Sequence, residues 1–322
     1  MPPRVSVVLP ARDAASTVGA AVSSVLWQTF SDLELIVVDD GSTDRTAAVV
    51  SAFGDDRVRL LSTGGVGVAA ARNRAVEAAT GELVTFCDAD DLLFEQHLEA
   101  LVERWEAHGG IVTANAWWLF PGGITPGHTR HKGRFPRLGE QRRAILEQNF
   151  VSMMSLCARS LFHDVGPFDE RLERASDWDL WMRAVLAGVP VAHQPRPLAL
   201  YRWGATGLST ATDRMDAAVR AVLEKAAART DLTAEERAYV EGRLAGPGPR
   251  ELGRRGDAAL RDGRYGEAAT LLRRAAALSP SERRLVWKAR ALSVAPPVTG
   301  RLLRARDLRR SALLGADERH VR

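Results

Sequence analysis

Short apolar runs alternate with segments of helical periodicity along residues 5–87 of this 322-residue chain. The runs are rich in β-branched residues, which is typical of buried strands, and the segments between them repeat their apolar residues at helical spacing. The predicted strands are Val5–Leu9, Leu33–Val38, Val58–Leu61 and Leu83–Cys87, and the predicted helices are Ala14–Gln28, Thr43–Phe53 and Val68–Ala79. Short connections between them predict an α/β fold with a mainly parallel central sheet and helices on both faces.

Polar residues and one proline follow each predicted strand. They are Pro10, Asp39, Asp40, Ser62, Thr63 and the run Asp88–Asp91. In an open α/β sheet the carboxyl ends of parallel strands meet at one edge, and ligands bind there. The sequence therefore predicts one functional site at this edge of the sheet.

Two aspartates, Asp88 and Asp90, close the fourth apolar run. Side chains alternate along an extended chain, so both carboxylates are expected on the same side. Hard oxygen donors in this arrangement suit Mg²⁺ or Mn²⁺, which in turn holds a diphosphate. The alternative is an acidic turn that also caps a helix beginning near Phe94.

The turn that runs from Asp39 to Asp44 contains a second pair of carboxylates, Asp39 and Asp40. An aspartate here can accept a hydrogen bond from a base N–H or a ribose hydroxyl. The other interpretation, which does not exclude the first, is an Asx-type turn in which Ser42 or Thr43 caps the next helix. Arg72, one or two turns into the third helix, is either a contact to nucleotide or phosphate or an exposed cation.

A third acidic candidate, Asp177, lies in the stretch Ala175-Ser176-Asp177-Trp178-Asp179. We expect Ser176 to cap a helix, which puts Asp177 in its first turn, where the helix dipole favours an ionised carboxylate. A group that takes a proton from a sugar hydroxyl must be charged and within hydrogen-bond reach. Asp179 and Arg183, four residues apart, are predicted to form an ion pair.

The composition changes after the linker-like run Gly246-Pro247-Gly248-Pro249. From Arg250 onward 18 Lys and Arg stand against 8 Asp and Glu, a net charge of +10, so residues 1–249 carry −6 within the total of +4. A basic tail predicts an anionic membrane surface as partner, and no nucleic acid is expected; the alternative is a solvated basic face.

Residues 256–280 resemble one tetratricopeptide-like helical hairpin. The expected domains are 1–212, 213–249 and 250–322.

Cysteine content and hydropathy indicate the compartment. Only Cys87 and Cys157 are present, too few for a disulfide framework, which indicates a reducing environment. The chain starts with Met1-Pro2-Pro3-Arg4 directly before a strand, and no apolar run approaches the roughly 20 residues that span a bilayer. We therefore expect a cytoplasmic protein whose basic tail holds it at the inner face of the plasma membrane.

Taken together, residues 4–210 resemble the family 2 glycosyltransferases of the GT-A fold. The motifs stand in the family's order: Val5–Pro10, Gln28–Phe30, Val37–Asp44, Ala71–Asn73, the D-x-D at Asp88–Asp90, and Ser176–Trp181. The resemblance implies a metal-dependent, inverting transferase of the hexosyltransferase type. It would take a nucleotide-sugar donor and a glycan or lipid-linked acceptor, in the synthesis of a surface polysaccharide or glycolipid.

The resemblance also assigns roles to residues. Asp40, with Asp39 beside it, matches the aspartate that contacts the base, and Pro10 and Arg72 lie on the nucleotide side. Asp88 and Asp90 match the pair that holds ribose and the Mg²⁺ or Mn²⁺ diphosphate complex. Asp177 matches the catalytic base.

Two positions depart from the family pattern. Ser176 stands where Glu is common, so the orientation of Asp177 is expected to rely on a cap hydrogen bond. Trp203-Gly204 stands where many relatives have a metal-binding His, so no third ligand is expected there. The competing hypotheses are a nucleotidyltransferase and a non-catalytic sugar-nucleotide scaffold, and the loop 122–136 is predicted to be a lid or acceptor loop.

Overall fold

The computed structural model describes residues 2–120, 123–129, 134–203, 212–280, 282–294 and 296–303. The chain divides into two compact units, Met1–Val222 and Leu223–Arg322. The three-part division into 1–212, 213–249 and 250–322 stays a prediction. Residues 122 and 130–133 of the predicted acceptor loop, and also Gly204, lie outside the described residues.

The first unit is built on one nine-stranded sheet. Its strands are β1 (Val5–Ala11), β2 (Leu33–Asp40), β3 (Val58–Thr63), β4 (Leu83–Phe86), β5 (Leu92–Leu93), β6 (Ile111–Phe120), β7 (Gly123–Thr129), β8 (Leu156–Ala158) and β9 (Val191–Arg202). They lie in the order β3-β2-β1-β4-β8-β6-β9-β5, and β7 pairs with β6. The α/β fold and all four predicted strands are confirmed.

The prediction of a mainly parallel sheet is correct only for its first half. β1 pairs in parallel with β2 and β4, and β2 pairs in parallel with β3. Beyond β4 the sheet is mixed: β8 is antiparallel to β4 and β6, β5 is antiparallel to β9, and only β6 and β9 run parallel. Parallel neighbours need a crossover connection, and the regular strand–helix alternation that supplies it ends after β4.

Helices cover both faces of the sheet, as predicted. The helices of the first unit are α1 (Val18–Leu26), α2 (Thr46–Ser51), α3 (Val68–Ala78), α4 (His97–His108), α5 (Gln141–Glu147), α6 (Leu161–Asp164) and α7 (Ser176–Leu186), and α8 (Thr212–Ala227) runs across the boundary between the two units. Val22 of α1 and Leu101 of α4 join Val7 of β1 in one buried apolar cluster. Helix α3 contacts β1 and β2 but contributes nothing to that cluster, so it covers the opposite face.

Two helices begin later than predicted, at Val18 and Thr46, because the loops before them bond to each other. The backbone N–H of Asp13 donates to Ser42 Oγ at 2.9 Å, and the Asp13 carboxylate accepts from the Thr43 N–H at 2.8 Å. Neither Ser42 nor Thr43 caps α2, whose N-cap is Arg45. Likewise α4 begins at His97 after Gln96, so no acidic residue of the D-x-D turn caps it. The hydrogen bonds of Asp13 with Ser42 and Thr43 hold the loops before α1 and α2 together at the carboxyl edge of the sheet.

A buried carboxylate, Glu34 on β2, ties β1, β2 and β3 to the turn before β4. Its Oε1 accepts hydrogen bonds from Ser6 Oγ on β1 and from the N–H and hydroxyl of Thr80, each at 2.7 Å. Its Oε2 accepts from Arg59 Nη1 on β3 at 3.0 Å. Burial by itself raises the pKa of Glu34, but the hydrogen bonds from Ser6, Thr80 and Arg59 outweigh it and lower that pKa below its ordinary value.

The second unit is helical. Its helices after α8 are α9 (Ala234–Leu244), α10 (Pro249–Arg261), α11 (Tyr265–Leu278) and α12 (Arg283–Val294). Helices α10, α11 and α12 share a buried core of Ala259, Leu260, Ala268, Ala269, Leu272, Ala289 and Leu292. Gly256 permits the close approach of α10 and α11, because a Cβ there would lie 2.7 Å from Leu272 Cγ. The tetratricopeptide-like identity of this pair stays a prediction. Among the described residues no helix is long and apolar enough to cross a bilayer.

We expect Glu34→Gln to lower the free energy of unfolding by about 2 kcal/mol at neutral pH, because an amide cannot accept from all of these buried donors. The carboxylate's folded-state pKa is lowered, so its contribution is complete above its ordinary value of 4.5 and is lost as the pH falls through the folded-state pKa. Urea unfolding near pH 7 and near pH 4 measures this. Glu82→Gln, at an exposed position, is the control and should change stability by less than about 0.5 kcal/mol. An equal loss in both variants would contradict the role of Glu34.

Candidate active site

A cleft of about 810 Å³ opens at the carboxyl edge of the parallel strands. Five of the predicted site residues line it: Pro10, Asp40, Arg72, Asp88 and Asp90. They come from β1, β2, α3 and the turn after β4. The other two predicted residues, Asp39 and Asp177, do not appear among the residues that line this cleft.

Asp40 is buried, and its carboxylate organises the loop before α3. One oxygen accepts from Thr63 Oγ1 at 2.6 Å and from the Val66 N–H at 2.7 Å, and the other accepts from the Gly67 N–H at 2.9 Å. Burial raises the pKa of Asp40, but these hydrogen bonds and the nearby Arg12 guanidinium outweigh it and hold that pKa below its ordinary value. Asp40 is thus an ionised acceptor with little spare capacity for a ligand.

Glycine permits this arrangement. Gly41 has a φ of +70°, a left-handed conformation that favours glycine. A Cβ at Gly41 would lie 2.8 Å from the backbone nitrogen of Gly65, so a side chain would push apart the two loops that Asp40 joins. Asp39 has a more local role, since its Oδ1 accepts from the N–H of Ser42 at 3.3 Å within the same turn.

Arg72 and Asp88 form an ion pair in the cleft. Arg72 Nη2 lies 2.7 Å from Asp88 Oδ1, and the two side chains are 8% and 26% exposed. The guanidinium carbon lies 5.8 Å from the centre of the Phe168 ring, and the buried Nε of Arg72 has no hydrogen-bond partner within the described part of the chain. Of the two sequence interpretations of Arg72, the exposed cation is wrong: this is a buried cation that holds one oxygen of the D-x-D motif.

Asp90 differs from Asp88 in its surroundings. Asp90 is an exposed residue, yet the protein around its carboxylate displaces solvent, and this desolvation together with repulsion from Asp88 raises the pKa of Asp90. A cation between the two carboxylates would relieve that repulsion. The donor set fits Mg²⁺ or Mn²⁺ in part: Asp90 offers both oxygens, and Asp88 offers the one that Arg72 does not hold. Within the described ranges no group of three or more His, Cys, Asp and Glu residues surrounds a metal position.

Arg202, at the end of β9, supports the D-x-D turn from the other side. Its Nε donates to the backbone oxygen of Asp90 at 2.8 Å, and its backbone N–H donates to Asp91 Oδ1 at 2.8 Å. Arg202 and Trp203 also line the cleft. The sequence does not predict these contacts of Arg202, because nothing in the spacing shows that β9 ends beside residues 111 and 112 positions earlier.

Asn73 is a second residue whose role the sequence does not disclose. It is buried, and its amide pairs with the backbone of Phe168: the Phe168 N–H donates to Oδ1 at 2.9 Å, and Nδ2 donates to the Phe168 oxygen at 3.0 Å. Nδ2 also donates to Glu170 Oε1 at 2.9 Å. This places Glu170 and Glu173 along the cleft. Asn73 therefore fixes the cleft wall to α3, next to Arg72.

Asp177 lies in the first turn of α7, as predicted, but the expected cap is wrong. The N-cap is Ala175, in the left-handed conformation, and no side chain in the described part of the chain caps the helix; Ser176 is the first helical residue and is buried. Asn149 contacts the carboxylate instead, its Nδ2 donating to Asp177 Oδ2 at 2.9 Å. The predicted ion pair between Asp179 and Arg183 is confirmed, at 3.0 Å.

The comparisons with known proteins identify the family. The profile of glycosyl transferase family 2 matches residues 6–166, half of the chain. This chain belongs to glycosyltransferase family 2, as its motifs indicate.

Two relatives show how far this likeness extends. The UDP-Glc:alpha-D-GlcNAc-diphosphoundecaprenol beta-1,3-glucosyltransferase WfgD of Escherichia coli is 42% identical over 96 residues, which cover 30% of this chain and only 38% of WfgD. A PGL/p-HBAD biosynthesis glycosyltransferase of Mycobacterium bovis is 30% identical over 186 residues, 56% of this chain and 69% of that protein.

Two solved structures share the fold. S. aureus TarS 1-349 in complex with UDP superposes with a TM-score of 0.58 at 20% identity, covering 94% of this chain and 91% of that one. The mannosyltransferase PcManGT from Pyrobaculum calidifontis, in complex with GDP-Man and Mn²⁺, superposes with a TM-score of 0.60 at 21% identity, covering 95% and 88%. At such identities the likeness shows the fold, and the expected GT-A architecture is confirmed.

We expect Asn73→Ala to lower the free energy of unfolding by about 2 kcal/mol, because it leaves a buried N–H and C=O of Phe168 without their partner. Arg74→Ala is the matched control, one residue along the same helix and 66% exposed; it should change stability by less than about 0.5 kcal/mol. Urea denaturation of both variants at one pH measures the difference. Equal midpoints would show that Asn73 does not hold the cleft wall.

Proposed function

We propose that this protein is a metal-dependent, inverting glycosyltransferase of the hexosyltransferase type. It takes a nucleotide-sugar donor in the cleft and transfers the sugar to a hydroxyl of a glycan or lipid-linked acceptor, in surface polysaccharide or glycolipid synthesis. The observation that carries the proposal is the meeting of Arg72, Asp88, Asp90 and Asp40 along one cleft at the carboxyl edge of the sheet. The family assignment and relatives that act on undecaprenyl-linked or PGL substrates support the same reaction class.

The part of the cleft that we propose for the nucleotide-sugar donor is held by hydrogen bonds and contains charged side chains. Asp40 holds the loop Thr63–Gly67 in place through three hydrogen bonds, and Pro10 and Gly67 line the space beside it. Arg72 orients Asp88 through their ion pair. TarS and PcManGT are described with UDP and GDP-Man, so a uridine or guanosine diphosphate sugar is the donor class that we propose.

Asp88 and Asp90 would hold the divalent cation. When bound, Mg²⁺ or Mn²⁺ supplies positive charge for the diphosphate that leaves. The chain's own residues keep the acidic pair in position: Arg72 holds Asp88, and Arg202 holds the backbone of Asp90. Residue 204 is glycine where many relatives have histidine, so Asp88 and Asp90 are the protein residues that would hold the cation.

Asp177 acts as the general base. It removes the proton from the acceptor hydroxyl as that oxygen attacks the anomeric carbon, and the bond to the nucleoside diphosphate breaks on the opposite face. The anomeric configuration is therefore inverted. Asp177 follows the cleft-lining residues Glu170 and Glu173 on the same segment of chain, which leads from the cleft wall into α7.

We expect Asp177→Asn to lower turnover by about 10²-fold to 10⁴-fold, because general-base catalysis contributes that much. Donor affinity should remain within a few-fold of wild type. Asp90→Asn should instead abolish Mn²⁺-dependent donor binding. Titration calorimetry and release of nucleoside diphosphate from UDP-GlcNAc, UDP-glucose and GDP-mannose measure both effects, with exposed Asp164→Asn as the control.

The same experiment separates the competing functions. Release of pyrophosphate in place of a nucleoside diphosphate would indicate a nucleotidyltransferase. Donor binding without turnover, together with wild-type behaviour of Asp177→Asn, would indicate a non-catalytic scaffold. Full activity of Asp177→Asn would contradict its role as base.

For the C-terminal unit we propose reversible association with an anionic membrane at the cytoplasmic face. Trp287 and Val294 lie seven residues apart on α12, and Val298 and Leu302 four apart in the helical segment 296–303, so each pair shares a helix face. These four side chains are 53–85% exposed. Arg290 and Arg301, both exposed, lie among them. Apolar side chains with interspersed cations suit the headgroup region of an anionic leaflet.

We expect the double variant Arg290→Glu/Arg301→Glu to bind phosphatidylglycerol vesicles at least tenfold more weakly, since each basic residue at an anionic surface contributes about 1 kcal/mol. Trp287→Ser should also weaken binding. Trp27→Ser is the control, because Trp27 is 75% exposed on the other unit. Vesicle co-sedimentation at two salt concentrations measures the effect. Unchanged binding in the double variant would assign this surface to solvent or to a protein partner.

A further inference from the structure

Among the described residues, the carboxylate of Asp177 has one hydrogen-bond donor, which comes from outside α7. Asn149 lies two residues beyond the end of α5, and its Nδ2 donates to Asp177 Oδ2 at 2.9 Å. Asp177 is partly exposed, and its second oxygen, Oδ1, receives no hydrogen bond from the part of the chain that the structure describes. One oxygen is therefore held while the other stays available.

The orientation of the Asn149 amide is fixed. Its Oδ1 accepts from the Val151 N–H at 3.2 Å, so the NH₂ group is the end that faces Asp177. An amide does not titrate, so this donor is present at every pH at which the protein folds.

Both partners of this contact stand on rigid supports. Trp178, next to Asp177, donates from Nε1 to the backbone oxygen of Ile145 at 2.8 Å, which ties the first turn of α7 to α5. The segment after Asn149 is anchored where the Ser152 N–H donates to Thr113 Oγ1 on β6 at 2.8 Å. Because Trp178, Ile145, Ser152 and Thr113 are all buried, these bonds are shielded from water.

The residues at the start of α7 do not fix the position of Asp177 by themselves. Ala175 has a φ of +56°, in the left-handed region where a non-glycine residue is strained, and no side chain of the described residues caps the helix. Such strain persists only where surrounding contacts fix the backbone. The position of the first turn, and of Asp177 in it, thus depends on contacts with α5 and the segment after it.

We propose that Asn149 is the positioning residue of the catalytic base: it holds Oδ2 of Asp177 so that Oδ1 points to the acceptor hydroxyl and takes its proton. Asn149 thus orients Asp177, which is the role that the sequence analysis expected of a cap hydrogen bond from Ser176. This inference rests on the proposed function of Asp177 as general base.

The test compares Asn149→Ala, Asn149→Asp and Asn149→Gln in the full-length protein. The probes are UDP-GlcNAc, UDP-glucose and GDP-mannose with Mn²⁺, with water as acceptor and nucleoside diphosphate release as readout. Gln148→Ala is the matched control, since Gln148 is the adjacent amide, is exposed, and makes no side-chain hydrogen bond within the described residues.

We expect Asn149→Ala to lower kcat about tenfold or more, with the donor KM within twofold of wild type. Asn149→Asp, which puts a second carboxylate in place of the donor, should lower kcat at least as far. Asn149→Gln, which keeps a donor, should recover kcat toward wild type. Gln148→Ala should leave both kcat and the donor KM unchanged.

An unchanged kcat in both Asn149→Ala and Asn149→Asp, no recovery of kcat in Asn149→Gln, or a loss of kcat that only follows a fall in Tm and donor affinity would overturn the inference. If Asp177→Asn is as active as wild type, the proposed base itself fails, which is a different result from failure at Asn149.

Discussion

Parallel pairing of β1 with both β2 and β4 is the constraint on which the rest of the first unit depends. The register that aligns Val5 with Leu33 and Leu83 makes the three strands end together, so Pro10, Asp40 and Asp88 meet although they are far apart in the chain. The buried carboxylate of Glu34 joins this sheet at its opposite end through Ser6, Thr80 and Arg59. Parallel strands need crossover helices, and these bring Arg72 to the same edge.

The four aspartates to which we assign roles carry the same functional group, and their surroundings make them different. Asp40 accepts three hydrogen bonds from Thr63 and the loop before α3, so it has little capacity left for a ligand. Asp88 is paired with Arg72, whereas desolvation and repulsion from Asp88 raise the pKa of Asp90. Among the described residues, Asp177 has one neutral donor, Asn149. These differences support the separate structural, metal-holding and proton-accepting roles that we propose for identical side chains.

The hydrophobic pattern of the sequence predicts the first strands and helices, but it does not predict the residues at which the helices begin. The first four strands and three helices follow from hydrophobic periodicity, which reports burial along one element. The start of α1 at Val18 and of α2 at Thr46 depends on Asp13, Ser42 and Thr43, whose hydrogen bonds cross between loops. The prediction that Ser176 caps α7 is wrong for a related reason, because contacts from other elements hold the turn at Ala175. The mixed half of the sheet was missed because its strands lack regular alternation with helices.

The amino-acid sequence by itself determined the α/β class, the family and the identity of the acidic candidates, because these depend on periodicity and on motifs within short stretches. Only the tertiary structure decided that Arg72 is a buried partner of Asp88, that Arg202 supports Asp90, and that Asn73 fixes Phe168 and Glu170. It also paired Asn149 with Asp177. Each of these contacts joins residues 16 to 112 positions apart. Such contacts form when packed elements bring together side chains that are far apart in the chain, and the spacing of residues in the sequence does not show which of them will meet.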